Sequence, residues 1–170
     1  PYINRKGPQS TRDHERYQTV FAREPGSVAA PTAGLHFSKP LMDRIREHGV
    51  EVAYVTLQVG PGTFAPVKAE KITEHKMHRE RFIIPAETAD VVNRAKRERR
   101  RVIAVGTTSM RTLETAAREN DGVILPCRSS SDIFIYPPRK FRIADALITN
   151  FHLPKSTLMM LVSAFLTPES

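Results

Sequence analysis

The sequence predicts an α/β fold in which a mixed, largely parallel sheet carries flanking helices. Apolar runs of strand character at 50–59 and 102–105 alternate with helical patterns at 38–48 and 85–100. Each of these strands ends at a turn rich in Gly and Thr. Hydrophobic residues make up 40% of the 170 residues, which suffices for one core, so we treat residues 1–170 as a single α/β domain.

Local signals predict the individual elements in chain order. Ser38 is a good helix N-cap, and Gly49 fits the position just after the helix. The run 50–59 has apolar residues on both faces, which is typical of a strand covered on both sides. The other predicted elements are a helix over 15–22, a helix from Pro85 to Arg100, a strand at 102–105 followed by a helix over 110–118, short strands at 133–136 and 146–148, and a last helix over 157–165.

Composition restricts the partner and the compartment. Lys and Arg number 26 against 18 Asp and Glu, and the resulting charge of +8 favours polyanions or small anions. Cys127 is the sole cysteine, which excludes an internal disulfide, and no apolar stretch approaches the ~20 residues of a membrane span. We expect a soluble, cytoplasmic protein. Because the chain opens at Pro1 without apolar periodicity, we also expect it to be part of a longer protein or a processed product.

The turn Gly106–Ser109 leads from a predicted strand into a helix and carries three hydroxyls, those of Thr107, Thr108 and Ser109. Ligands of parallel sheets bind beyond the carboxyl ends of the strands, and helix N-termini attract anions. Arg111 is predicted in the first turn of that helix, where a cation opposes the helix dipole unless an anion accompanies it. A plain helix cap and a solvated arginine are the alternatives.

Histidines are the candidates for acid–base chemistry, because imidazole titrates near neutrality. His78 precedes Glu80 closely enough for the two to act as a pair. Zinc is disfavoured, because His75 and His78 lack an evident third ligand. His36 and His152 each stand between apolar neighbours, where a hydrogen-bonded core histidine is the alternative.

A basic run at 94–101 has six positive charges in eight positions. Such a run either contacts phosphates with a salt-dependent affinity or forms a solvated helix end. The candidates for nucleic-acid contact within it are Arg94, Lys96, Arg97, Arg100 and Arg101.

Seven strings in fixed order point to one family. They are DHERYQTVFA at 13–22, GSVAAPTAGLHF at 26–37, VGPGTF at 59–64, HKMH at 75–78, GTTS at 106–109, DIFIYP at 132–137 and TNFHLPKSTL at 149–158. Together they resemble the S-adenosylmethionine:tRNA ribosyltransferase-isomerases of queuosine biosynthesis, and the likeness extends over nearly the whole chain.

This resemblance implies an enzyme that transfers and isomerises the ribosyl group of S-adenosylmethionine onto an aminomethyl-deazaguanine in the tRNA anticodon. The products are epoxyqueuosine-tRNA, adenine and methionine. S-adenosylmethionine serves as co-substrate, and no metal or bound cofactor is implied. The partner is tRNA with a GUN-type anticodon. The implied catalytic domain is partly barrel-like and lacks the family's N-terminal part and inserted β-barrel domain, so we expect self-association or a partner chain to complete it.

The resemblance also implies site residues. The catalytic candidates are His36, His78, Glu80 and His152. The substrate-binding candidates are Thr32, Gly34, Gly62, Thr63, Thr107, Thr108, Ser109, Arg111 and Asn150. The basic run becomes the candidate tRNA contact. Two alternatives stay open: a truncated, non-catalytic tRNA-binding paralogue or fragment, and a general nucleoside- or phosphate-binding α/β enzyme.

Overall fold

The computed structural model describes residues 17–23, 25–60, 72–75 and 77–166. The elements are α1 (Lys39–Glu47), β1 (Thr56–Gln58), β2 (Glu80–Ile84), α2 (Ala86–Arg97), β3 (Ile103–Val105), α3 (Thr107–Glu119), β4 (Cys127–Ser131), β5 (Ala146–Ile148) and α4 (Thr157–Leu166), with 3-10 turns at Thr32–His36 and Ile72–Glu74. The predicted α/β class with flanking helices is confirmed. Within the described part of the chain, no helix has the length and apolar character needed to cross a membrane.

The strands form two small sheets. In the first, β2 lies between β1 and β4 and pairs antiparallel with both, so that Phe82 faces Leu57 on one side and Ser129 on the other. In the second, β3 and β5 pair in parallel, with Ala104 opposite Leu147. The sheet structure is mixed, as expected. Among the described strands, however, antiparallel pairings outnumber the parallel one, so the expectation of a largely parallel sheet is wrong in that respect.

Helix α3 connects the two sheets. On one side its Met110 packs with Leu161 of α4 in a core next to the parallel strands. On the other side Leu113 and Ala116 pack with Phe82 of the antiparallel sheet. Full burial of each large apolar side chain contributes roughly 1.5–3 kcal/mol, so these contacts hold α3 firmly between the sheets. The N-terminus of α3 therefore has a fixed place in the fold.

Two helix boundaries follow from side-chain and backbone chemistry. Ser38 caps α1 as predicted, because its Oγ accepts the N–H of Leu41 at 3.3 Å. Gly49 follows the helix with a φ of +76°, a conformation that glycine adopts without strain. The start of α3 differs from the predicted one. The helix begins at Thr107 rather than at 110, so the three hydroxyl residues form its first turn and Arg111 lies in its second.

Three other predictions differ from the structure. Residues 17–22, the described part of the helix predicted at 15–22, form turns and irregular chain. The alternation at 133–136 reflects burial of two isoleucines in the core without strand pairing. The run 50–59 contracts to the edge strand β1, and Val50 is 51% exposed, so the expected cover on both faces is wrong.

Candidate functional site

The parallel strands β3 and β5 end at one edge of the molecule. There the N–H of Gly106 donates to the carbonyl of Ile148 at 2.8 Å, which places the first turn of α3 beside the loop that follows β5. Carboxyl ends of parallel strands are the usual place for ligands in α/β proteins. Two of the sequence motifs, at 106–109 and 149–158, thus meet where a site is expected.

Two hydrogen-bonded pairs, each of a histidine and a polar side chain, lie at this edge, and we call them together the histidine network. Nδ2 of Asn150 lies 3.3 Å from Nε2 of His36, although 114 positions separate them in the chain. Oγ1 of Thr149 lies 2.9 Å from Nε2 of His152. Burial lowers the pKa of His152 below its ordinary 6.5, which favours the neutral imidazole near neutral pH. The structure therefore pairs His36 with Asn150 and His152 with Thr149, a residue that was not among the sequence candidates.

Phe151 lies between the two network residues Asn150 and His152, and its ring is fully exposed. Leu153, two positions on, is 76% exposed. An exposed aromatic ring next to hydrogen-bonding groups suits stacking on a nucleobase. Phe151 is absent from the candidate set, although its place inside the TNFH string was a usable signal.

The 3-10 turn at Thr32–His36 carries His36 into the network. Gly34 within this turn is buried, and a Cβ added there would lie 2.7 Å from Cζ of Phe21 and 2.9 Å from Cγ2 of Thr19. Gly34 therefore allows the turn to pack closely and acts on the site through the position of His36. Thr32 is half-buried at the start of the turn.

The first turn of α3 is suited to an anion. Its N-cap is Gly106, whose φ of +90° lets the helix start directly after β3. No side chain in the described residues caps this turn, so its free N–H groups stay available to a ligand. Thr107 is buried there, and Thr108 and Ser109 are half-buried.

A buried ion pair lies in the second turn of the same helix. Nη1 of Arg111 donates to Oε2 of Glu80 at 2.6 Å, and the two side chains are 3% and 1% exposed. His78, the expected companion of Glu80 in proton transfer, is exposed. A proton on Glu80 would leave the guanidinium buried without this counter-ion, at a large cost in stability. The geometry therefore favours Glu80 as a counter-ion over Glu80 as a proton carrier.

The described histidines of the HKMH string are not arranged as metal ligands. The ring of His75 packs edge-on against Phe134, with a centroid distance of 5.3 Å. Within the described ranges no three His, Cys, Asp or Glu side chains converge as a metal site requires. Gly62 and Thr63 lie outside the described residues, so their place in a pocket stays a prediction.

The basic run divides into paired and unpaired cations. Arg94 and Arg100 both pair with Glu51, the latter at 2.9 Å. Arg97, Arg99 and Arg101 are exposed and form no salt bridge with a described residue. The surface charge available to a polyanion therefore includes two of the candidates, Arg97 and Arg101, together with Arg99.

Lys96 has a structural position. Its Nζ lies 3.0 Å from Oδ1 of Asp145 and donates to the carbonyl of Ile143 at 3.1 Å, which ties α2 to the segment before β5. Burial by itself would raise the pKa of Asp145, but hydrogen bonds from the Val102 N–H and from Lys96 outweigh it and lower that pKa below its ordinary value. Lys96 is thus less free to contact RNA than Arg97 or Arg101.

A hydroxyl-rich helix N-terminus beside a histidine network at a parallel-strand edge is an arrangement, in an α/β domain, that suits an anionic or nucleotide ligand. Comparison with known proteins makes this class specific. Residues 1–170 match the family described as queuosine biosynthesis protein, and the chain belongs to this family.

Several relatives show how much of the family this chain represents. The S-adenosylmethionine:tRNA ribosyltransferase-isomerase of Geobacter metallireducens is 59% identical over 169 residues, which are 99% of this chain and 48% of the relative. The protein of the same name from Thermus thermophilus is 58% identical over 99% of this chain and 47% of its own length. The crystal structure of S-adenosylmethionine tRNA ribosyltransferase from Thermotoga maritima matches with a TM-score of 0.58 and 41% identity, over 78% of this chain and 40% of that one. The chain spans about half the length of the curated relatives it matches.

Proposed function

We propose that this chain carries part of the active site of an S-adenosylmethionine:tRNA ribosyltransferase-isomerase. The reaction converts S-adenosylmethionine and an aminomethyl-deazaguanine in tRNA into epoxyqueuosine-tRNA, adenine and methionine. The observation that carries this proposal is the two pairs His36–Asn150 and His152–Thr149 at the carboxyl ends of the parallel strands, in a chain 59% identical to a relative of that name. A non-catalytic RNA-binding fragment needs a basic surface but no such network.

The chemistry sets requirements that this edge is suited to meet. The sulfonium acidifies the neighbouring C5′–H of the ribose, so a base must remove that proton. Burial keeps His152 neutral near pH 7, which suits it to act as that base. Adenine departs more easily when a general acid protonates a ring nitrogen, and His36 and His78 are the candidates. The scheme calls for no metal and no bound cofactor.

The RNA in this proposal is a tRNA with a GUN-type anticodon. The charge of +8 attracts the phosphate backbone, and Arg97 and Arg101 offer exposed guanidinium groups. Phe151 offers a ring on which an unstacked anticodon base can lie. The same proposal includes self-association of the chain or its binding to a partner chain. Sedimentation of the chain with and without tRNA measures its state of association.

Adenine release is the test of the enzymatic part. The protein is incubated with S-adenosylmethionine and tRNA that carries the aminomethyl base, and free adenine is measured by chromatography. We expect tRNA-dependent release, and a loss of at least about 100-fold in His36→Ala and in His152→Ala. The matched control is His48→Ala, an exposed histidine at the end of α1, which should keep the rate. Tight tRNA binding without adenine release would instead support the non-catalytic alternative.

Salt dependence is the test of the RNA surface. Replacing Arg97 and Arg101 together by Gln removes two exposed cations and should reduce the slope of log affinity against log salt by about 1–2. The control replaces Arg44 and Arg46, two exposed cations of α1, and should leave the slope unchanged. Equal effects of both double variants would show a diffuse charge effect and contradict a defined tRNA surface at the end of α2.

A further inference from the structure

Arg111 has a hydrogen-bonding edge that its pairing with Glu80 does not use. Nη1 donates to Glu80, whereas Nε and Nη2 share the side edge of the guanidinium. Both of these nitrogens are buried and have no hydrogen-bond partner among the described residues. Two parallel N–H groups on one edge match the two oxygens of a carboxylate or phosphate.

An unfilled edge of this kind is unfavourable. A buried donor without a partner costs roughly 1–3 kcal/mol, and nearly all buried polar groups in native proteins are paired. Arg111 is 3% exposed, so bulk water does not satisfy these donors. The edge therefore indicates an anion that arrives from outside the described residues.

The surroundings favour an anion at the same place. Side chains on a helix lean towards its N-terminus, so the guanidinium of Arg111 extends from the second turn of α3 alongside the first. That first turn carries free N–H groups and the positive end of the helix dipole. The contact between Gly106 and Ile148 places this turn next to the loop of the histidine network.

We propose that the side edge of Arg111 binds the carboxylate of the methionyl part of S-adenosylmethionine, and that Glu80 is a positioning residue that holds the guanidinium. The proposal rests on the proposed function. Burial decides between the two anions that fit the edge. Nε and Nη2 are buried. A carboxylate at the tip of a flexible aliphatic chain can reach such buried groups, whereas a phosphodiester has a nucleoside on each side and stays at the surface.

Calorimetric binding of S-adenosylmethionine and of its decarboxylated analogue tests this assignment. The wild-type chain should prefer the carboxylated ligand by about 10- to 100-fold, the range expected for charged hydrogen bonds. Arg111→Lys keeps the charge and the partner Glu80 but lacks the side edge, and its preference should fall below about threefold. Arg118→Lys, an exposed position of the same helix, is the matched control and should keep the preference.

Glu80→Asp provides a second variant in case Arg111→Lys does not fold, because it keeps a carboxylate beside the guanidinium. Its affinity for the decarboxylated ligand should stay unchanged while the preference for the carboxylated one falls, because the shorter side chain no longer holds the guanidinium in the same position. An undiminished preference in the folded variants would overturn the inference and leave the proposed function standing. A wild-type chain that binds no S-adenosylmethionine would overturn both. A loss of affinity for an anticodon stem-loop alone in Arg111→Lys would assign the edge to a phosphate and contradict the carboxylate.

Discussion

Two buried carboxylates contact the segments around α3, and their surroundings differ. Glu114 accepts the backbone N–H groups of Arg142, Ile143 and Ala144 at 2.9, 3.0 and 3.2 Å. Glu80 accepts from Arg111, whose side edge has no partner in the described chain. The first arrangement is completed by the backbone of the chain itself, whereas the second retains donors for another group.

This difference separates a structural role from a binding role. Glu114 fixes the segment that leads into β5 and so holds the loop of the histidine network in place. The Glu80–Arg111 pair contributes less to stability than its burial suggests, because burying two charges offsets much of their attraction. Incomplete hydrogen bonding at a charged group, rather than burial alone, distinguishes the Glu80–Arg111 pair from Glu114.

The largest expected effect comes from breaking the buried ion pair on one side. Arg111→Ala should lower the free energy of unfolding by about 3–5 kcal/mol, because Glu80 then stays buried without this cation. Replacing both residues by Met should restore stability to within about 1 kcal/mol of wild type or exceed it. Urea unfolding measures both values. Equal losses in the single and double variants would show that the pair is a stabilising element and not one kept for binding.

A smaller effect is expected at the carboxylate that the backbone completes. Glu114→Gln should lower the free energy of unfolding by about 2–3 kcal/mol, since one of the three N–H donors would face an amide N–H₂ group. The preference for the carboxylate of S-adenosylmethionine should persist. Glu119→Gln, exposed at the end of the same helix, should stay within about 0.5 kcal/mol. A variant with unchanged stability and lost ligand preference would reverse the roles of the two carboxylates.

Acid unfolding extends the comparison of Glu80 and Glu114 to a third carboxylate, that of Asp145, which is more exposed. The pKa of Asp145 in the folded chain lies below the ordinary 3.8, so its contribution to stability is complete above that value and is lost as the pH falls below it. Asp145→Asn should lower stability at neutral pH and flatten the decline below about pH 4. Unfolding midpoints between neutral and acid pH measure this, with the exposed Asp90→Asn as control. The same acid slope in both variants would contradict a role for the contacts of Asp145.

The smallest expected effect concerns His152, because Glu114 acts on it only through the position of its loop. Burial lowers the folded pKa of His152, so its stabilising contribution is present above the ordinary 6.5 and declines as the pH falls below it. Titration of the His152 ring by NMR should give a pKa below that of the same residue in urea-unfolded chain. An unshifted value would remove the argument that His152 is the neutral base.

Local chemistry was enough to predict several elements. Capping preferences and periodicity predicted Ser38 as a cap and Gly49 after α1. They also predicted helices at 85–100 and 157–165, which the structure has at Ala86–Arg97 and Thr157–Leu166. The strand β4 could not be predicted in this way, because Cys127–Ser131 is mostly polar and is held by backbone pairing with β2. A strand that is held by backbone pairing with its neighbour shows little strand character in its own sequence.

The candidate site was predictable only where a family resemblance joined distant motifs. Nothing in the composition near His36 or Asn150 indicates that they meet across 114 positions. The sequence predicted Glu80 as an acid–base partner of His78, whereas its burial depends on Arg111, which lies 31 positions later. Charged residues are buried only with partners, and the partner is a property of the fold.

The most direct measurement follows the Nε–H resonance of Arg111 in arginine-labelled protein during a titration with S-adenosylmethionine. The resonance is assigned by its loss in Arg111→Lys. A carboxylate on the side edge should shift it downfield and slow its exchange with water, and the decarboxylated analogue should leave it in place. Saturation of the protein with S-adenosylmethionine while the Arg111 resonance stays unmoved would contradict the assignment of this edge to the ligand.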